Sequence, residues 1–551
     1  MIKKKVILIL ILSLYSIIAI PQTLVSLPFS KKNNVYTIED NIDLKGKTIT
    51  IPQGCVLSFD GGSLRNGTVL GNPSIRADRV QIFYDISTDI TEVESDWIGV
   101  SPNGTPLSNR NNLEGFIKKH VACNSTDGNR LSIIFTKGLT YDFSSGIVLP
   151  DDIILYFEGA TSLKDQMTML RCRKKGATFI TVMGGQFCAT NITFAGAKGG
   201  SYDYGNPDCT VLIDYKKTNS KFPSEDVNNT DARLYRCRFR LGNIGVRLTG
   251  RQSTIKSCVF SDCNVGVLID DIINPNQKIV GSSRNNRVSD CHFHSSIVVA
   301  IWCRGDYQKH LTIDNNIMDM AAGCFFKGNL RSGFIYNNNI HYTINTLGLE
   351  EVNVFELDCL ENSFITGNKC DYVNDYVYDG ARYPNRCNSF VKCIGPVVNS
   401  DITNNKFGES LDYGFVFNST VSGLNIKHNI IAASCTSKNY SRNYNRGSKT
   451  DTFAYLIKFD KNRDKLTGVV IDGNVLLDTK ELAITEPQKV EGGQIRVVGK
   501  SNSEVKQYGP TSGRPKGEQI YIGFQYFDTS LNKPVWYSES GDWVDYSGNK
   551  Q

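Results

Sequence analysis

A six-residue pattern recurs nine times between Leu234 and Leu476: an aliphatic residue, two variable positions, Cys or Asn, one variable position, then an apolar residue. The copies are Leu234/Cys237/Phe239, Ile255/Cys258/Phe260, Val288/Cys291/Phe293, Ile313/Asn316/Met318, Ile335/Asn338/Ile340, Ile365/Asn368/Cys370, Ile402/Asn405/Phe407, Ile426/Asn429/Ile431 and Ile471/Asn474/Leu476. Successive anchors lie 21, 33, 25, 22, 30, 37, 24 and 45 residues apart. The shortest interval suits a coil of three short strands and three turns, and the longer ones read as that coil with an insertion. Such a unit cannot bury its apolar side alone, whereas coils stacked at about 4.8 Å lay each aliphatic residue on its counterpart.

The pattern therefore predicts an all-β chain, a right-handed parallel β-helix (a solenoid) over residues 36–480 including an N-terminal cap. An inward Asn at a tight bend bonds the backbone and stacks on the Asn of the next coil. Leucine-rich repeats need a denser leucine framework and a helical half-repeat that is absent. Sixteen cysteines in an exported chain raise the prospect of a disulfide scaffold. Cys237, Cys258 and Cys291 instead share one slot of successive repeats, which predicts an inward stack of small apolar side chains with unpaired thiols.

Lys3 to Lys5 followed by the apolar run Val6 to Ile20 has the length of a secretory signal, placed at residues 1–22. No later stretch resembles a membrane span. The expected location is the periplasm, cell surface or exterior of a Gram-negative bacterium. Leu64/Gly67/Val69 already follows the repeat, with Tyr36 to Asp40 expected in the cap. Leu113, Phe116 and Ile117 stand at helical spacing and predict a short amphipathic helix over 111–120. Val182/Gly185/Phe187 enters the repeat register. Residues 481–519 read as a connector, and 520–551 as a small aromatic-rich β module whose Tyr521, Phe524, Phe527, Trp536 and Trp543 form a miniature core rather than a sugar-stacking face.

The helix at 111–120, the strand and glycine turn after it and the aliphatic coils resemble the pectate-lyase-like β-helix superfamily, in the variant of Bacteroidetes secreted glycan-processing proteins and phage tailspikes. The resemblance spans about residues 42 to 480. It implies the fold and a range of activities: lyases, hydrolases, epimerases, esterases and proteins without known catalysis. Of the Asn-Thr-Asp, Asp-Asp, Gly-His-Gly and Arg-Ile-Lys set of polygalacturonase-type hydrolases, the chain is read as offering Asn229-Thr230-Asp231 alone. The tail is similar to a short module at the ends of Bacteroidetes secreted and tail-fibre-like proteins, through Gly513-Arg514-Pro515, Tyr526-Phe527-Asp528, Lys533-Pro534, Trp536 and Trp543.

A β-helix carries chemistry on its outer face and turns. Four insertions stand out, Asp270 to Arg284, Asn345 to Val352, Asp371 to Arg386 and Thr436 to Thr450, and they are read as occupying different phases of the coil. Beside the first, Arg304, Asp306, Tyr307, Lys309 and His310 crowd one turn, and Arg331 follows His310 by 21 residues, about one coil. Cleavage of a uronate by β-elimination needs a cation at the carboxylate, a base at the adjacent carbon and a donor at the leaving oxygen. His310 or Lys309 as base, Tyr307 as donor and Arg304 with Arg331 as clamp fill those roles.

The insertion after Asp371 supplies Asp371, Tyr372, Asp375, Tyr376, Asp379 and Arg382: rings for pyranose faces, and carboxylates for hydroxyls, for Ca²⁺ or for an acid/base pair. A third cluster holds Tyr440 and Arg442 among further cations. Export turns such a basic, aromatic cluster toward an anionic polysaccharide rather than nucleic acid, and the formal charge of +6, part of it in the signal, carries no weight. The leading expectation is a secreted polysaccharide lyase. The alternatives are a glycoside hydrolase of the same fold and a non-catalytic glycan-binding or tailspike-like protein. A monomer and a homotrimer are both compatible, and Ca²⁺ is the one cofactor entertained.

Overall fold

The computed structural model describes residues 29–551, apart from 125–128, 152, 160–166, 198–208, 216–231, 275–276, 282, 295–296, 307, 320–322, 342–351, 372–375, 379–380, 384–386, 408–412, 433–454, 460–465, 478–483, 486–495, 499–507 and 516–521. The signal-like segment, Tyr307 and the cluster of Tyr440 and Arg442 thus lie outside the described residues. The chain winds as a right-handed parallel β-helix: each coil lays down a long strand, a short second strand and a short third strand. One sheet of 27 strands carries the first two kinds, and a sheet of 12 carries the third. All nine anchors stack, for example Leu234 on Ile255, Ile255 on Val288, Val288 on Ile313 and Ile426 on Ile471.

Two bends per coil explain the spacing. The residue before each Cys or Asn of the repeat is left-handed, from Arg236 (φ 51°) to Gly367 (φ 67°), with Asn315, Asn337 and Asn404 between. The residue three before most anchors is left-handed too: Gln252, Asn285, His310, Ser332, Asn362, Asn399, Gly423 and Gly468. Asn and Gly are the residues that adopt this conformation at least cost.

At the first bend the ladder side chain saturates the backbone. The Nδ2 of Asn316, Asn338, Asn368, Asn405 and Asn429 each donates to the Oδ1 of the next coil's Asn at 2.8 to 3.0 Å. Each also donates to the carbonyl of the preceding coil's anchor, as Asn405 does to Ile365 at 2.9 Å. The Oδ1 atoms accept in addition the backbone N–H of the Asn one coil back. The cysteines imitate half of this: Cys258 and Cys291 point their thiols at the carbonyls of Leu234 and Ile255, 3.5 and 3.6 Å away. Cys237, Cys258 and Cys291 are all buried and take part in no disulfide, but they serve as donors as well as apolar filler. Phe194, Phe239, Phe260 and Phe293 form a continuous stack beside them, with centroids 4.9 to 5.5 Å apart.

The helix spans Pro106–Cys123, longer than its apolar spacing indicates, because Thr105 caps Ser108 N–H and Pro106 opens the first turn. Leu113, Phe116 and Ile117 are its buried side. Val35–Ile38 is the edge strand of the first small sheet, in parallel register with Val56–Phe59. At the other end, Ile484–Thr485 and Arg496–Val498 still pair with the coils below them. The C-terminal module is a four-stranded sheet that includes Tyr508–Gly509 and so starts upstream of residue 520. Phe524, Tyr526 and Val535 are its core, with Trp543 packed on them. Arg514 and Asp528 form a buried pair there, Nε to Oδ2 at 2.6 Å. Phe527 is 41% exposed and Trp536 is half-buried, so only part of the aromatic set is core.

Two outcomes are expected. Asn405→Ala strands the N–H of Asn368 and the carbonyl of Ile365 in the interior, and should cost about 3 kcal/mol in denaturant unfolding. Thiol titration of unreduced protein should detect Cys237, Cys258 and Cys291 only after denaturant is added, and as free thiols; recovery of few thiols would refute the unpaired ladder.

Candidate functional site

Among the described residues, charged and aromatic side chains gather on the outer face of the long strands and on the turn that follows them. The insertion after Asp270 falls in that turn. Those at 345–352, 371–386 and 436–450 fall between a third strand and the next long strand, so three of the four share one phase of the coil. The two edges together flank one face.

On that face one outward row runs Asp214, Arg247, Leu268, Trp302, Lys327, Glu356 and Lys392, one residue per coil in register. Trp302 is half-buried in the middle of it, with Arg304 and Lys327 each 5.8 Å from its ring centroid. A second row of outward apolar residues, Val265, Val299 and Cys324, packs beside it.

The turn adds the carboxylates. Asp270 receives Arg304 as a fork, Nε to Oδ1 at 2.8 Å and Nη2 to Oδ2 at 2.6 Å. Arg247 reaches the same carboxylate at 3.0 Å and Asp214 at 3.8 Å. Asp271 is buried and accepts from Gln308 Nε2 at 3.0 Å. Asp306 is exposed, and Asn329 Nδ2 fastens the backbone beside it through Gly305 O at 3.2 Å.

One coil later the sheet register slips. Gly328 pairs with Leu357 but Asn329 pairs with Cys359, so Asp358 is the extra residue of a bulge in Val352–Glu361. Bulges re-aim side chains, and this one turns Asp358 outward between Glu356 and the turn. Gly328 makes the close approach feasible: at φ 109° it lies against the carbonyl of Cys303, where a Cβ would collide. Crowding by the protein raises the Asp358 carboxyl above its ordinary range; Lys327 opposes the shift, and the like charges of Glu356 and Asp306 add to it. Lys327 itself bonds Glu356 at 2.7 Å, and Arg331 bonds Glu361 at 2.8 Å, each across one rung.

The residues expected to carry an elimination fall differently. Arg304 and Arg331 are both engaged by carboxylates. His310 occupies the left-handed bend before Ile313, with its N–H donating to the carbonyl of Arg331 at 3.1 Å and its ring exposed. Lys309 is exposed and forms a backbone bridge with Arg284. Asp371 ends the third strand Lys369–Asp371, opposite His341, rather than lying in a loop. Tyr376–Tyr378 and Ala381–Tyr383 form a hairpin with Val377 opposite Arg382. Tyr372, Asp375 and Asp379 lie outside the described residues. No group of three metal-ligating side chains occurs among the described residues.

Sequence reasoning passed over Trp302, Lys327 and the Asp270-Asp271 pair. The adjacent aspartates at a strand end were the available signal; the reading of the polygalacturonase set did not count them.

No protein-family model and no curated protein matches this sequence. Among solved structures the chain is similar to DFA-IIIase from Arthrobacter chlorophenolicus A6 in complex with DFA-III, at 12% identity over 72% of this chain and 96% of that one, TM-score 0.46. It is similar also to the catalytic unit of a thermostable alpha-1,3-glucanase from Streptomyces thermodiastaticus strain HF3-3, at 10% identity over 77% and 66%, TM-score 0.44. Tailspike protein 3 of bacteriophage CBA120 aligns at 15% identity over 83% and 69%, TM-score 0.38. At these identities the likeness is one of fold and assigns no reaction.

Asp270→Ala should leave Arg247 and Arg304 without their shared counterion. Because the carboxylate is nearly buried while Arg304 is half exposed, the expected loss is about 2 kcal/mol in thermal or denaturant unfolding.

Proposed function

We propose that this chain is an exported glycan-processing enzyme of the hydrolase type, with its reaction centre at Asp358 on the outer face of the long strands. The observation that carries the reading is the bulge that sets Asp358 apart, where the surrounding protein raises its carboxyl and the like charges of Glu356 and Asp306 add to the rise against Lys327. Two carboxylates held in different protonation states are what acid-catalysed cleavage of a glycosidic bond requires. Asp358 donates its proton to the leaving oxygen. Asp306, exposed and among the charges that act on Asp358, is the partner that activates water or attacks the anomeric carbon. Trp302 offers a ring for a pyranose or furanose face. Elimination is disfavoured on the same face, since it needs a cation to neutralise substrate while Arg304 and Arg331 already neutralise Asp270 and Glu361.

Asp358→Asn should lower the release of reducing ends by more than about a hundredfold, with circular dichroism unchanged. The protonated carboxyl is the active form, and its folded pKa is raised, so activity persists above the ordinary carboxylate range and falls as pH rises through that raised value. Glu356→Gln removes a like charge and releases Lys327 toward Asp358; both effects lower the pKa, so the alkaline limb should move to lower pH. Near-native rates in Asp358→Asn, or products absorbing near 235 nm, would sink the hydrolase reading.

A further inference from the structure

The C-terminal sheet has two faces of opposite character. Along Gln525–Asp528 burial alternates with the strand period: Tyr526 and Asp528 are buried, Gln525 and Phe527 exposed. The register sets Pro534 opposite Phe527 and Trp536 opposite Gln525, with Val544 beyond Trp536. On the other flank Tyr508 stands opposite Phe527. Directly opposed residues share a face, so Tyr508, Phe527 and Pro534 form one outward row and Gln525, Trp536 and Val544 the next. Tyr508 is 69% exposed and Phe527 41%, and Trp536 is half-buried.

The strands that carry these rings are tied from the inner side. Asp528 accepts from Arg514 Nε at 2.6 Å, Thr511 Oγ1 at 2.8 Å and the N–H groups of Ser530 and Leu531 at 2.9 and 3.1 Å. Tyr526 Oη donates to the carbonyl of Pro510 at 3.1 Å, and Thr529 N–H to that of Gly509 at 2.8 Å. The backbone of Tyr508 and the turn after Phe527 are thus held before anything binds, which lowers the cost of binding. Neighbouring strands are about 4.8 Å apart and diagonal neighbours about 7 to 8 Å, so Tyr508, Phe527 and Trp536 run obliquely across three strands in a line. Such a line suits a chain of sugar units: rings cover the C–H faces of pyranose or furanose, and the Gln525 amide both donates to and accepts from hydroxyls. A protein partner suits it less well, because three rings at these exposures offer roughly 300 Å², against about 800 Å² from each side of a stable protein interface.

We infer that the outward face of the C-terminal sheet is a second glycan-binding site, a platform of Tyr508, Phe527 and Trp536 with Gln525 beside it, separate from Asp358. This rests on the reading of the chain as one that works on glycans, and it takes Phe527 and Trp536 out of the miniature core in which they were expected.

The test runs the full chain through native gels carrying inulin, laminarin, dextran, xylan, polygalacturonate or alginate, beside Asp358→Asn, which should leave the polymer uncut. At least one polymer should retard both proteins, and Tyr508→Ala, Phe527→Ala and Trp536→Ala should each weaken that retardation about three- to tenfold. Tyr508→Ala truncates a mostly exposed ring and so spares the fold; Trp536→Tyr, which keeps a ring, should restore most of what Trp536→Ala loses. Retardation that falls with Trp302→Ala and with none of the three ring variants belongs to the solenoid and overturns the inference. Retardation of the unsubstituted chain by no polymer overturns it too, as does self-association in sedimentation velocity that Tyr508→Ala abolishes, since the face is then a contact between copies. If a polymer is cut to reducing ends but retention ignores the rings, the platform fails while hydrolysis stands. If retention follows the rings and no polymer is cut, hydrolysis fails and the platform stands.

Discussion

The six coils from Asn316 to Asn474 depend on one contact, the side-chain amide that closes the bend after the second strand. The bend places a residue in the left-handed region and leaves inward backbone groups that water cannot reach. A single Asn answers both demands: its two amide hydrogens take the carbonyl below and the Oδ1 above, and its own Oδ1 takes two donors from the coil beneath. Because each Asn both gives to and receives from its neighbours, a slip of one coil by one residue would break bonds in three. The run from Asn316 to Asn474 therefore fixes the phase of the last six coils. The thiols of Cys237, Cys258 and Cys291 reproduce the donation to the carbonyl without the acceptance, and the stacked rings of Phe194 through Phe293 run through the same coils.

With phase held from inside, the outside is free to change from coil to coil. The row that begins with Asp214 and Arg247 passes through Leu268 and Trp302 to Lys327 and Glu356 without disturbing a single inward neighbour. The bulge at Asp358 is a local departure that the framework tolerates, since Leu357 and Leu360 remain fully buried on either side of it. Gly328 is the complementary concession on the facing strand. A carboxylate that must be crowded, yet reach solvent, is thus obtained from one extra residue and one missing Cβ.

The inward half of the molecule was legible in the sequence and the outward half was not, for a geometric reason. Anchor and ladder residue belong to one rigid bend, so their separation never varies. The outward residues reach the anchor across a turn of changing length: Trp302 precedes Ile313 by eleven residues, Lys327 precedes Ile335 by eight, and Glu356 precedes Ile365 by nine. No fixed period aligns them, and their neighbours emerge only when strands pair. The same periodicity accounts for His310. Its position is filled in other coils by Gln252, Asn285, Ser332, Asn362 and Gly423, a series defined by backbone conformation, and a polar residue there requires no chemistry to explain it. Gly328 and the register slip opposite Asp358 could not be seen without coordinates, because neither a lone glycine nor a lone aspartate marks a bulge.

The ion pairs of this face have a consequence beyond anchoring the turn. Two guanidiniums converge on Asp270, and one of them, Arg304, is thereby held over the Trp302 ring, 5.8 Å from its centroid. Lys327 flanks the same indole and is tied to Glu356, which leaves Asp358 with one opposing cation whose charge is already shared. Closely paired charges at one end and a raised carboxyl at the other set up a gradient along the row, from tightly paired near Asp270 to less compensated near Asp358. A proton is therefore retained where the gradient ends, on the residue that the bulge has pushed outward, and the aromatic ring stands between the two regions. Removing Lys327 would raise the carboxyl further. The raised carboxyl of Asp358 is set first by burial, then by Lys327 and Glu356 on its own face, with Asp306 adding least.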